Sequence, residues 1–377
     1  MDNIDRTIFK DLKSSLFKGK VILITGARQV GKTTLLRKLV QDSAVKSLWL
    51  NADEADIKMA LENANTSTEL KTAFGNADLI IIDEAQQIKE IGKKLKLIVD
   101  SFPELQIIAT GSSSFDLLQQ SNEPLTGRKI EFKLFPLSFS EMAEHDSVLI
   151  EKRNLESRLL YGSYPEVINN PGREQQVLNE VVNSYLYQDI LRYDGINKSS
   201  VIEKLVLALA LQVGSEVSYN ELSRSIGNIS AATIEKYIDI LEKAFVVFKL
   251  NALSRNVRNE IKKGKKIYFH DNGVRNSVIN NFNTLSLRSD KGAMFENYLV
   301  AERVKRNHYN SHFASIYFWR TFDQAEVDYI EEYGGALHTY EFKWTAGKNK
   351  IPATLANSYE IASTNFINSN NYNEFLT

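Results

Sequence analysis

Residues 26–33 read Gly-Ala-Arg-Gln-Val-Gly-Lys-Thr, and what stands on either side of them limits the chain to few folds. Before them runs a short apolar stretch, residues 20–25. After them, residues 33–41 set Leu35, Leu36, Leu39 and Val40 at helical spacing. Apolar strand, glycine-bounded loop and amphipathic helix form the context in which G-x-x-x-x-G-K-T holds phosphate. Gly26 and Gly31 let the backbone curl so that successive N–H groups face one centre. The helix that follows adds the positive end of its dipole. The binding set read here is Gly26, Ala27, Arg28, Gln29, Val30, Gly31, Lys32, Thr33 and Thr34. Lys32 would reach the β- and γ-phosphates and the Thr33 hydroxyl would ligate Mg²⁺, so the expected ligands are ATP and Mg²⁺. Thr34 is a spare hydroxyl, and Arg28 is expected to contact a neighbouring element rather than the phosphates.

The first ~140 residues repeat the same alternation. Residues 46–50, 77–82, 105–110 and 130–135 are further short apolar runs, most of them followed by a helical pattern. Near-continuous apolar strands alternating with helices predict an α/β fold with a parallel sheet covered on both faces. One of these runs ends Leu79-Ile80-Ile81-Ile82-Asp83-Glu84. Asp83, leaving a buried strand, would hold Mg²⁺ through water, and Glu84 would polarise an attacking water. A carboxylate at 84 points to hydrolysis rather than to holding nucleotide alone.

At 377 residues the chain is long enough for two or three domains, at roughly 150 residues each. It has no cysteine, which excludes disulfides, thiolate zinc sites, iron–sulfur clusters and a cysteine nucleophile. Forty-six Lys and Arg against 47 Asp and Glu give a net charge of −1, so no global attraction to nucleic acid or membrane follows. No apolar run approaches the ~20 residues of a membrane span, and the first 13 residues are charged throughout. The expectation is a cytoplasmic protein without a signal peptide or a membrane partner.

Beyond residue 140 the pattern turns helical to about residue 200. Residues 202–213 and 219–226 read as helices, and Ser230 suits the N-cap of a third, with Ile234, Ile238, Leu241 and Phe245 on one face. Residues 245–250 and 265–270 read as a hairpin, which completes a winged helix-turn-helix pattern. Residues 251–266 carry Arg255, Arg258, Lys262, Lys263, Lys265 and Lys266 against Glu260. Placed at a wing, that run suits DNA backbone binding; a winged helix used for protein contacts is the alternative. A helix over 293–305, strands over 316–320, 326–330 and 337–344, a short helix opened by Pro352 and a last strand at 365–367 follow.

These last strands carry Glu326-Val327-Asp328 and Glu341-Phe342-Lys343, with Glu296 on the preceding helix. Period-2 geometry puts Glu341 and Lys343 on one face. The pattern resembles the D…E-x-K signature of restriction-endonuclease-like enzymes. On that resemblance Asp328 and Glu341 would share a divalent metal with Glu296 nearby, and Lys343 would position water or the scissile phosphate. Alternating charged and apolar residues are equally what a half-exposed strand looks like.

The glycine-bounded loop together with Asp83-Glu84 resembles the AAA+ ATPases. The resemblance implies a polar sensor near the γ-phosphate, Thr110 or Ser112 in Leu105-Gln106-Ile107-Ile108-Ala109-Thr110-Gly111-Ser112; Ser112 to Ser114 alternatively form only an N-cap cluster. It also implies an arginine finger at Arg128, after Gly127, and with it a homo-oligomer; a solvated surface arginine is the alternative. Pro136-Leu137-Ser138-Phe139 and Tyr161-Gly162-Ser163-Tyr164-Pro165-Glu166 narrow the resemblance. They resemble prokaryotic ATP-binding proteins with an N-terminal AAA domain and a C-terminal part that includes a winged helix and a restriction-endonuclease-like fold. The implied division is an ATPase core over 1–139, a helical lid over 140–200, a winged helix over 201–284 and an α/β nuclease-like domain over 285–377. The implied function is ATP hydrolysis driving or gating a DNA-associated activity. The alternatives are a nucleotide-dependent switch that binds proteins and an ATP-gated nuclease.

Overall fold

The computed structural model describes residues 4–111, 125–184, 199–227, 229–254, 264–321, 325–345 and 351–377. They group into two bodies. One takes the described residues within 5–135 and 243–245, the other those within 1–4, 136–242 and 246–377.

The first body is built on five strands: β1 (Val21–Thr25), β2 (Ser47–Asn51), β3 (Leu79–Asp83), β4 (Gln106–Gly111) and β5 (Lys129–Lys133). Their order is β2-β3-β4-β1-β5, with every pairing parallel. Val21 to Ile24, Leu79 to Ile82 and Ile107 to Ala109 are buried to the last few per cent. Strands covered on both faces need such unbroken apolar runs, and these were the strands most plainly written in the sequence. The helices Lys32–Asp42, Ala55–Asn63, Ser67–Phe74 and Ile91–Ser101 lie between them in the chain. Ser67–Phe74 starts sharply because Thr66 and Glu69 form a reciprocal capping box. Since all five strands are parallel, the loops that follow β1, β3 and β4 gather at one edge of the sheet. That carboxyl edge is where open α/β sheets place their ligands.

The second body begins with the expected helical stretch. Phe139–His145, Val148–Arg153, Leu155–Tyr161, Pro165–Ile168 and Glu174–Val182 are helices, and among the described residues 140–184 there is no strand. A later helix, Asn272–Val278, seats against Leu155–Tyr161. The Asn276 amide donates to both Leu159 O and Leu160 O at 2.9 Å. The approach is close enough that a Cβ on Gly273 would stand 2.2 Å from Tyr161 O.

Helices Ser199–Leu211, Tyr219–Ile226 and Ala231–Lys243 follow. Ser230 caps the last, its hydroxyl accepting from Thr233 N at 3.1 Å. The remaining strands are β6 (Glu216–Val217), β7 (Val247–Ala252), β8 (Lys265–Phe269), β9 (Ser315–Arg320), β10 (Glu326–Tyr333), β11 (Ala336–Phe342) and β12 (Ile361–Ile367). They form one sheet in the order β12-β11-β10-β9-β7-β8-β6. The β7–β8 hairpin, expected to project as a wing, is thus an interior part of that sheet. β7 pairs with β8 on one side and, at Asn251 and Ala252, in parallel with Tyr317 and Phe318 of β9 on the other. The helix expected over 293–305 runs longer, from Lys291 to Tyr309. It is fixed to β10 by Arg303, which grips both carboxylate oxygens of buried Glu331 at 2.8 and 2.7 Å.

Candidate active site

The loop after β1 is held open by backbone conformations that its sequence anticipates. Gly31 has φ 97°, a left-handed geometry that suits glycine. A Cβ at Gly26 would lie 2.1 Å from Leu134 O, so only glycine lets the loop start this close to the segment after β5. Leu134 N in turn donates to Thr25 O at 2.7 Å. Lys32 is buried, and its ammonium turns back into the loop to donate to Gly26 O and Ala27 O, each at 2.9 Å. The helix Lys32–Asp42 then points its N-terminus into the loop. Thr34, the spare hydroxyl, is exposed, and Arg28 is half-buried.

Thr33 meets the strand two places away. Its hydroxyl donates to Asp83 Oδ2 at 3.2 Å, across the end of β4. From β4 comes Thr110, fully buried, whose hydroxyl donates to Asp83 Oδ1 and accepts from Glu84 N at 3.3 Å. One hydroxyl therefore sets both carboxylate-bearing residues of the neighbouring strand end. Glu84 itself has φ 53°, a conformation costly for a side chain with a Cβ and found most often where function demands it. Its carboxylate accepts from the Gln86 amide. Gln86 was not singled out by sequence; a glutamine two residues beyond a strand-end glutamate has no signature of its own. Thr33 and Asp83 present a hydroxyl and a carboxylate oxygen to the same place, a hard-oxygen donor set that fits Mg²⁺.

Arg128 lies elsewhere. It precedes β5, and its carbonyl accepts from Val21 N, at the start of β1. β1 and β5 run parallel, with Thr25 opposite Lys133 at their far ends. Arg128 is therefore at the amino edge of the sheet, about five residues or ~16 Å of strand from the loop. Its Nε donates to Asp100 at 2.6 Å. The structure does not bring it to the glycine-bounded loop of its own chain. Ser112, the other sensor candidate, lies outside the described residues.

The second body holds a separate cluster of charges. Asp328 and Glu341 come from adjacent antiparallel strands, one step beyond the Tyr329–Tyr340 pair, and their carboxyls hydrogen-bond on one face. Burial, and then the charge of Asp328, push Glu341 up to about 8, against the opposing pull of Lys343. Asp328 Oδ2 also accepts from Phe342 N at 2.8 Å. Glu296 is bound differently: its Oε1 accepts from Lys266 Nζ at 3.0 Å and from the Tyr268 hydroxyl at 2.7 Å. Lys266 is 1% exposed and sits 2.5 Å from Glu326 as well. Burial alone would lower its pKa, but Glu296, Glu326 and Asp328 outweigh that and raise it.

This corrects two expectations. Glu296, Asp328 and Glu341 lie in one neighbourhood but are engaged without a metal: Glu296 accepts from Lys266 and Tyr268, while Asp328 and Glu341 hydrogen-bond to each other. Among the described residues no group of three or more His, Asp or Glu side chains is arranged to hold a metal ion. Nor is Lys343 the central cation. It is exposed, 3.9 Å from Glu341, and the buried ammonium is Lys266, which the sequence had placed on a DNA-facing wing. Lys265 is also engaged, 3.6 Å from Glu235 and over the ring of Tyr219. The rest of the basic run, Arg255 to Lys263, lies outside the described residues. Among the described residues no helix is long and apolar enough to cross a membrane.

Residues 18–143 match the family model of the AAA domain. Residues 152–285 and 291–372 match two models described as domains of unknown function, DUF8612 and DUF4143. An uncharacterized protein of Mycobacterium tuberculosis is 27% identical over 341 residues, covering 89% of this chain and 73% of its own length. One from Haemophilus influenzae is 27% identical over 338 residues, covering 82% and 78%. Among solved structures, the Walker-type ATPase of Pyrococcus abyssi is similar at 18% identity with a TM-score of 0.49, over 74% of this chain and 96% of that one. The parallel sheet with its glycine-bounded loop thus lies within the region similar to the AAA domain, and the two regions that follow are similar to families of unknown function.

Proposed function

We propose that the chain binds ATP with Mg²⁺ and hydrolyses it. The observation that carries this is the meeting of Lys32, Thr33, Asp83, Glu84 and Thr110 at the carboxyl edge of one parallel sheet. Lys32 neutralises β- and γ-phosphate oxygens, and the loop N–H groups and helix N-terminus orient them. Mg²⁺, held by Thr33 and Asp83, would offset further phosphate charge and fix the γ-phosphate. Glu84 accepts the proton of the attacking water, and Thr110 keeps Glu84 and Asp83 in register. Saturating ATP should stabilise the fold by ~2.7 kcal/mol at a hundred times Kd, and Lys32→Ala should remove that gain. Equal melting shifts in parent and variant would overturn the assignment.

Arg128, on the opposite edge of the sheet, fits a role supplied to a neighbouring copy rather than to its own nucleotide. The helix–strand–helix–helix–hairpin order over 199–269 supports reading a winged helix, and β9 to β12 with the helix Lys291–Tyr309 a nuclease-like fold. The division at 139, 200 and 284 belongs to this proposal. We read the nuclease-like part as a binding module, because Lys266 already supplies the cation its carboxylates need.

The DNA-associated role rests on Arg255, Arg258, Lys262 and Lys263. If all four contact phosphates, they contribute a log–log salt slope of about −3.6. Changing them together to Gln should flatten the slope by that amount and weaken all sequences alike. A slope that does not change, or no binding even at low salt, favours the switch whose C-terminal body binds protein.

A further inference from the structure

The N-terminal segment reaches the phosphate loop through one side chain. The Arg6 guanidinium donates from one nitrogen to Val30 O and from another to Phe135 O, both at 2.7 Å. Val30 is the residue before Gly31 and Lys32 in the loop; Phe135 lies just past β5. We propose that Arg6 is a positioning residue for the nucleotide's phosphates, an inference that rests on the ATP reading above.

The argument runs through one peptide plane. In a trans peptide the C=O and the N–H point in opposite directions. Val30 O and Gly31 N share such a plane, so tying Val30 O to Arg6 aims the Gly31 N–H the other way, away from Arg6. Gly31 sits at φ 97°. A glycine there has low intrinsic preference for any one geometry, so the direction of that N–H needs an outside restraint. Arg6 supplies it. Its Nη1 is close enough to stand 3.6 Å from a Cβ built on Gly31.

The second arm makes the restraint rigid. Phe135 follows Leu134, whose carbonyl abuts Gly26 and whose N–H bonds Thr25 O. The loop is thus clamped at both ends to one strip of backbone: Gly26 by direct contact, Val30 through Arg6. A planar fork with several fixed donors serves two carbonyls at once, whereas an ammonium on a flexible stem does so poorly. Val30 and Phe135 are buried, but Arg6 is half-buried and both of its hydrogen bonds are part-buried, so water can reach the two carbonyls when the side chain is removed. The fold should then survive while the loop loses its fixed shape.

Three proteins decide it: parent, Arg6→Ala and Arg6→Lys, each measured for melting without nucleotide, for the Kd of ATP with Mg²⁺, and for KM and kcat. Charge-assisted hydrogen bonds of this kind imply a loss in affinity of roughly tenfold or more for Arg6→Ala. The rise in Kd should be matched in KM, with kcat altered less than KM, nucleotide-free melting nearly unchanged and partial recovery in Arg6→Lys. Unchanged Kd in both variants overturns the inference. So does a drop in nucleotide-free melting that accounts for the whole loss, since Arg6 would then be only a structural tie. Failure of the parent itself to bind ATP overturns the hydrolase reading instead, a different result in the same experiment.

Discussion

Glu84→Gln should bind ATP as tightly as the parent and turn it over roughly a hundred- to ten-thousandfold more slowly, the usual range for loss of a positioned general base. Glutamine keeps the size of the side chain and can still accept from Gln86 through its carbonyl. It cannot take a proton from water. Because the backbone at 84 is held by Thr110 through the Glu84 N–H, the substitution leaves the strand end in place. The two constants therefore separate: Kd for ATP stays, phosphate release collapses. Turnover within threefold of the parent would remove Glu84 from the chemistry. Arg128→Ala should lower turnover too, and mixing it with Lys32→Ala should restore part of it, because each partner lends what the other lacks. Full activity of Arg128→Ala alone ends the trans role.

What the sequence made legible, and what it hid, divides by the range of the interaction. β1, β3 and β4 are buried on both faces, so each had to be an apolar run bounded by polar residues, and each stands within two residues of its expected place. The loop at 26–33 was equally plain, because its glycines answer local backbone needs. Thr110 was one of two sensor candidates, with Ser112, that the resemblance to AAA+ ATPases implied; its bond to Asp83 came only with the structure. Arg6 could not: its partners are 24 and 129 residues away, and a lone arginine near the chain start has no local pattern. Arg128 was found by position in the chain, but only the parallel register of β1 and β5 reveals that it faces the far edge.

The second body shows the same division more sharply. Helix Tyr219–Ile226 and the Ser230 cap were readable because helical period and capping are local. The merging of hairpin and C-terminal strands was not. It depends on a two-residue parallel contact between β7 and β9, and strand pairing at long range leaves almost no mark on either strand. Lys266 is the clearest instance. In Lys262-Lys263-Gly264-Lys265-Lys266 it looks like one more solvated cation. Strand alternation alone sets Lys266 and Lys265 on opposite faces, and Lys266 takes the inner one.

Lys266→Met should destabilise the second body by about 3–5 kcal/mol, the cost of breaking a buried ion pair from one side. Methionine keeps the length of the stem and its packing near Phe318, so the loss isolates the charge. What remains is Glu296 and Glu326 without their ammonium, beside Asp328 and Glu341, where burial and then the charge of Asp328 already push Glu341 up to about 8. The sign of a second change tests that cause. Glu296→Gln should destabilise the parent, where it removes a partner of the ammonium. In the Lys266→Met background it should stabilise, where it removes an uncompensated charge. Denaturant unfolding of the full chain, followed at the transition of the second body, reads both; destabilisation by Glu296→Gln in both backgrounds would refute the electrostatic account. The same pair of proteins tests whether the ammonium stands where a divalent cation would otherwise be needed. Millimolar Mg²⁺ or Mn²⁺ should raise the melting temperature of Lys266→Met and leave the parent unmoved, because only the variant has carboxylates in want of a cation. An equal rise in both would mean that Asp328 and Glu341 recruit metal with Lys266 in place, and the nuclease reading of that site would return.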